Sequence, residues 1–82
     1  MSEFSLKIIS PESVIFEGKC ASLIFEAPDG KYGIQAHHAP VISAVKAGEV
    51  IIKGNDGEST VTVAKGILRF EDNSAVILTE NG

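Results

Sequence analysis

The chain has one cysteine, no tryptophan, three prolines and no long hydrophobic run among its 82 residues. The single thiol, Cys20, excludes an internal disulfide and fits a reducing compartment. No apolar stretch approaches the ~18 residues that a membrane-spanning helix needs, and Met1-Ser2-Glu3-Phe4 lacks the basic start of a secretory signal. A soluble, cytoplasmic chain without direct membrane insertion is therefore expected. Basic residues are also scarce, seven against eleven acidic ones, for a formal net charge of −4. A phosphate backbone would be repelled on average, and no basic run or aromatic platform offsets this, so nucleic acid is set aside as a partner. The only two histidines, His37 and His38, are adjacent. On an extended segment they point to opposite faces and cannot readily share one ion, so no metal and no cofactor is assigned. Cys20 reads as core filler in a half-buried strand, because neither a base nor an electropositive setting for a nucleophile is evident.

What is present is β-periodic. The hydrophobic fraction of 44% is spread along the whole length, which indicates a packed core. Phe4, Leu6 and Ile8 alternate with Ser5, Lys7 and Ile9, and Pro11-Glu12 breaks the run before a second strand at 13–17. Residues 20–27 read as a third strand, with Ala21, Leu23 and Phe25 on one face. Pro28-Asp29-Gly30-Lys31 is a strong turn signal. Residues 49–53 and 58–64 flank Gly54-Asn55-Asp56-Gly57, a hairpin with an Asn-Asp-Gly tip. A last pair, 66–70 and 74–79, is joined through Glu71-Asp72-Asn73, and no window has helical periodicity with a capping start. About ten short strands in a chain this size pack as two facing antiparallel sheets, so the expectation is an all-β sandwich forming one domain over 1–82.

The most distinctive stretch is Gly30-Lys31-Tyr32-Gly33-Ile34-Gln35-Ala36-His37-His38-Ala39-Pro40, followed by Lys46-Ala47-Gly48. It resembles the central signature of the ε subunits of rotary F-type ATP synthases, whose commoner form reads Gly-x-x-Gly-Ile-x-Pro-Gly-His-Ala-Pro and then Lys-Pro-Gly. The likeness extends to Leu6-Lys7-Ile8-Ile9-Ser10-Pro11-Glu12, to Val14-Ile15-Phe16-Glu17-Gly18, and to the closing hairpin around Gly66-Ile67-Leu68-Arg69-Phe70 and Val76-Ile77-Leu78-Thr79. The resemblance implies a non-catalytic rotor domain bound to the γ subunit and resting on the c ring, peripheral at the cytoplasmic face of a bacterial membrane. Family members carry a C-terminal helical hairpin that restrains hydrolysis and in some cases binds ATP. No residue here matches it, so neither role is assigned, and the chain reads as a naturally short member or a trimmed first domain.

Carried over residue by residue, the resemblance makes Ser10, His38, Ile42 and Ser43 candidate γ contacts and Asp29, Gly30 and Lys31 candidate c-ring contacts. Gly33, Pro40, Gly48 and Gly66 read as turn-makers. Three departures stand out. Lys31 replaces a commonly acidic residue, Ala36 a proline, and His37 a glycine, the last at a corner where histidine tolerates a positive φ poorly. Two alternatives compete. A lipoyl- or biotinyl-type carrier would need a lysine at a hairpin tip, for which Lys53-Gly54 and Asp29-Gly30-Lys31 are the candidates. A small β-barrel enzyme or metal protein would have to use His37, His38 and Cys20.

Overall fold

The computed structural model describes residues 2–80, so the expected domain ends at Met1 and Asn81-Gly82 lie outside the described residues. Nine strands form in chain order: β1 (Phe4–Ile9), β2 (Val14–Cys20), β3 (Ser22–Ala27), β4 (Gly30–Gln35), β5 (Val41–Val45), β6 (Gly48–Gly54), β7 (Gly57–Val63), β8 (Gly66–Glu71) and β9 (Ser74–Thr79). They make a five-stranded sheet, β2-β1-β9-β8-β5, facing a four-stranded sheet, β4-β3-β6-β7. The all-β sandwich is as expected, with nine strands among the described residues where about ten were anticipated.

Period-two alternation decides what is inside. Phe4, Leu6 and Ile8 of β1 face Leu23 and Phe25 of β3 across the interior, and all five are almost fully buried. Phe4 meets Phe70 of β8 edge to face at 5.4 Å, and Phe25 stacks on Tyr32 at 5.5 Å. One expectation needs correction here. β1 and β9 pair in parallel, Leu6 beside Ala75 and Ile8 beside Ile77. No tight turn joins the first and last strands, so their relative direction is free of the hairpin constraint that makes the other neighbours antiparallel.

The β2–β3 boundary also differs from the sequence reading. Cys20 ends β2 opposite Phe4, Ala21 is a bend, and the inward set of β3 is Leu23, Phe25 and Ala27. Cys20 is fully buried rather than half-buried. The anticipated β6–β7 hairpin is present, with Gly54 paired to Gly57 around an Asn55-Asp56 tip. In the β8–β9 hairpin, Asp72 and Asn73 have φ of 53° and 57°. Two left-handed central residues match a type I′ turn, whose twist suits antiparallel strands. Among the described residues no helix is long and apolar enough to cross a membrane.

Candidate functional site

Three surfaces carry the residues singled out by the sequence. The first is the corner after β4. His38 N–H donates to the Gln35 carbonyl at 3.2 Å, reversing the chain, and His37 sits at φ 65°. The histidine therefore does adopt the left-handed conformation expected of glycine, and its N–H donates to Asn73 Oδ1 at 2.7 Å. His38 is half-buried. Its Nδ1–H donates to the Ala39 carbonyl at 2.7 Å, which leaves Nε2 to accept from the Tyr32 hydroxyl at 3.5 Å. The imidazole leans on Tyr32 and meets the edge of Phe70 at 5.9 Å. Pro40 lies after that turn, which falls at Ala36-His37, and leads directly into β5. Among the described residues no group of three or more His, Cys, Asp or Glu is placed to hold a metal ion. Burial, with a smaller contribution from the charge of Glu3, pushes the Cys20 thiol up to about 11, the opposite of an activated nucleophile.

The second surface is the outer face of the five-stranded sheet. The register aligns Val14, Ile9, Leu78, Ile67 and Ala44 in one row that crosses all five strands. Val14, Leu78 and Ile67 are 51%, 55% and 53% exposed, although they are large and apolar. The neighbouring row, Glu17, Lys7, Val76, Arg69 and Ile42, is mainly charged, with Lys7 and Glu17 4.0 Å apart, but it ends in Ile42 at 72% exposure. Ala44, Lys46, Lys65, Ile67 and Leu78 line a shallow groove of ≈ 520 Å³ at the end of the row. The four-stranded sheet shows water a more polar face that includes Glu26, Lys53, Glu58, Thr60 and Thr62. Contiguous apolar surface of this kind marks an interaction site.

The third surface is the turn between β3 and β4. Ala27 pairs with Gly30 around Pro28-Asp29, and Glu26 pairs with Lys31. Lys31 Nζ donates to Glu26 Oε2 at 2.7 Å, so the cation of the turn is partnered within its own hairpin. Lys46 N–H donates to the Glu26 carbonyl at 2.8 Å. Gly48, at φ 153°, lies against the Glu26 side chain, where a Cβ would come within 3.2 Å of Cγ. The Lys46-Ala47-Gly48 turn and the Asp29-Gly30-Lys31 turn thus form one end of the sandwich.

The sequence-derived residues are only partly assembled. Ile42 and Ser43 in β5 follow directly on the His38 corner, and Val41 rather than Ile42 packs against the core. Ser43 is half-buried, its hydroxyl donating to the Ala44 carbonyl at 3.0 Å. Ser10 lies at the opposite end of the sheet, after Ile9, and is only 6% exposed. It closes a small turn, accepting from Ser13 N–H at 3.2 Å and donating its own N–H to the Ser13 carbonyl at 2.9 Å. Gly33 is not at a turn. It lies inside β4 without a left-handed φ, and a Cβ there would make only ordinary contacts. Gly66 is required for another reason than a bend, since a Cβ would collide with the Leu78 carbonyl. Lys53 lies within β6, and the tip beyond it is Asn55-Asp56, so neither carrier-type lysine occupies the centre of a hairpin tip.

Sequence reasoning missed Val14, Ile67 and Leu78. The available signal was that β8 and β9 are apolar on both faces, Leu68 and Ile77 inward with Ile67 and Leu78 outward, which implies cover on both sides.

The sequence matches the family of the ATP synthase delta/epsilon chain β-sandwich domain over residues 3–82. It is 34% identical over 80 residues to an ATP synthase epsilon chain of Caldicellulosiruptor saccharolyticus, covering 98% of this chain and 58% of that one. It is 33% identical over 79 residues to an ATP synthase epsilon chain of Chlorobium limicola, covering 95% of this chain and 90% of that one. Among solved structures, a chain of the Euglena gracilis mitochondrial ATP synthase superposes with a TM-score of 0.87 at 16% identity, over 96% of this chain and 51% of that one. A chain from the central stalk and c ring of the Tetrahymena thermophila mitochondrial enzyme superposes with a TM-score of 0.78 at 10% identity, over 94% and 63%. These structural likenesses establish the fold. The chain spans about 58–64% of the length of the first curated relatives it matches.

Proposed function

The chain belongs to the delta/epsilon-chain β-sandwich family of ATP synthase, and from that premise we propose that it acts as a non-catalytic domain of the central stalk, binding γ through its five-stranded face and meeting the c ring with its Asp29-Gly30-Lys31 turn. The observation that carries this reading is the Val14-Ile9-Leu78-Ile67-Ala44 row, a band of apolar side chains left in water by a fold whose own core is complete. Of the other candidates only Ile42 lies on this face, since Ser43 alternates with it onto the inner side opposite Leu68, while the His38 ring rests on Tyr32 and Phe70 at the corner before β5. Ser10 contributes little surface. The matching Tetrahymena chain belongs to a central stalk and c-ring assembly, which supports the same location for this one. A rigid, close-packed sandwich suits the task, because it transmits load from the ring to γ without rearranging internally. The localisation that follows is peripheral, on the cytoplasmic face of a bacterial membrane, in a complex that couples proton flow to ATP synthesis.

Titration against the isolated γ subunit of the same organism tests the reading. The chain should bind at micromolar concentration or tighter, and Leu78→Lys and Ile67→Lys should each weaken binding by at least about tenfold, because a charge is buried without a partner, while leaving the thermal midpoint nearly unchanged. Absence of binding at micromolar protein ends the γ assignment.

A further inference from the structure

We propose that Asn73 is the positioning residue for the His37–His38 corner: from a hairpin 36 positions away in sequence it holds His37 in a conformation that a histidine resists, and so presents His38 for γ contact. This rests on the reading of the corner as part of the γ surface.

Asn73 is well placed for this because its own position is determined three times over. It is the second central residue of the β8–β9 turn at φ 57°. Its carbonyl accepts from Ser5 N–H at 3.3 Å, and its Nδ2 donates to the Glu3 carbonyl at 3.0 Å, tying the turn to the first strand of the core sheet. The remaining polar atom of the side chain, Oδ1, takes the His37 N–H at 2.7 Å. The same hairpin also holds the second histidine, since Phe70 of β8 meets the His38 ring at 5.9 Å. One hairpin therefore grips the corner at two points, the amide of residue 37 and the imidazole of residue 38.

The need for a grip follows from backbone sterics. A left-handed conformation at a residue with a bulky Cβ lowers its population by roughly five- to thirtyfold relative to glycine. If γ recognises only the turned corner, loss of the Asn73 bond reduces apparent affinity by up to the same factor, because the competent conformer is no longer the dominant one.

Asn73→Gly is the informative variant, because Asp-Gly is a favoured type I′ pair and the turn itself is kept while the side chain is removed. It should weaken γ binding by roughly five- to thirtyfold, lower the thermal midpoint modestly because the Glu3 and His37 hydrogen bonds are lost, and shift the His37 amide resonance and its HN–Hα coupling in ¹H–¹⁵N spectra. Asn73→Asp keeps the acceptor for His37 but sets a second oxygen against the Glu3 carbonyl, so it should bind better than Asn73→Gly and less well than the unsubstituted chain. His37→Gly placed on the Asn73→Gly background should restore most of the lost affinity, since glycine needs no help to adopt the conformation. Equal affinity in Asn73→Gly and the original chain, or failure of His37→Gly to restore it, overturns the inference. If the unsubstituted chain does not bind γ at all, the γ reading fails instead, and unchanged His37 signals in Asn73→Gly would separately overturn the positioning role.

Discussion

Glu26 and Lys31 face each other across the β3–β4 hairpin, and Lys31 Nζ donates to Glu26 Oε2 at 2.7 Å. The positive charge that departs from the family pattern is therefore already partnered inside the chain. The Glu26 hydrogen bond and charge raise the Lys31 pKa above 10.5, with a smaller push from Glu49, so the pair stays intact through neutral pH. Asp29, exposed at the tip and in no ion pair among the described residues, is left as the turn's unpaired charge. If this turn meets the c ring as proposed, Asp29→Asn should reduce the salt dependence of assembly, while Lys31→Gln should change it little.

The pH dependence of the Glu26–Lys31 pair has a definite sign. A lysine pKa raised by folding stabilises the native state below the ordinary value of 10.5, and the benefit disappears as pH rises through the raised value. Thermal midpoints of the original chain and Glu26→Gln should differ slightly at pH 7, less in 1 M salt, and converge above the raised lysine pKa. Lys31 is well exposed and Glu26 about one-third exposed, so solvent screening should keep the difference at pH 7 small.

Two glycines that look alike in sequence should behave oppositely. At Gly66 a Cβ collides with the Leu78 carbonyl, part of the pairing between β8 and β9, so Gly66→Ala should cost about 1–3 kcal/mol or more. At Gly33 the same atom finds ordinary van der Waals room on an exposed strand, and Gly33→Ala should stay within about 0.5 kcal/mol. Urea unfolding of the two variants measures both.

Phe70 links the core to the corner, touching Phe4 on one side and His38 on the other. Phe70→Ala should destabilise by about 3–5 kcal/mol. That is a large share of the ~4–12 kcal/mol expected for a domain of this size. The His38 ring resonances should move in the fraction that remains folded.

The Cys20 thiol should be inert to a thiol reagent in the native state and react only on unfolding, because it is buried and held protonated. Its pKa is raised from 9.0 to about 11, so stability from this group is intact below pH 9 and declines as pH rises towards 11. Cys20→Ala should remove that alkaline component from the unfolding midpoint.

The alternation of Phe4, Leu6 and Ile8, the Asn55-Asp56 tip and the Pro28-Asp29 turn could all be read directly, because pleating and turn geometry are properties of a few adjacent residues. The Gly30 to Gly48 signature likewise pointed to the family that the comparison over residues 3–82 bears out. Other features were hidden. Ser10 read as a candidate γ contact, yet its turn folds it inward onto Ser13. Gly33 looked like a bend and is a mid-strand residue.

By itself the sequence determined which side chains alternate towards a core, where the tight turns fall, and that the product is a small β-sandwich. The tertiary structure alone decided the parallel pairing of β1 with β9, the alignment of Val14, Ile9, Leu78, Ile67 and Ala44 into one apolar band, and the reach of Asn73 to His37. The division is physical. Burial preference and turn conformation are written in neighbouring residues, whereas the register between strands distant in sequence is settled by the summed packing of the whole core, which no local window contains.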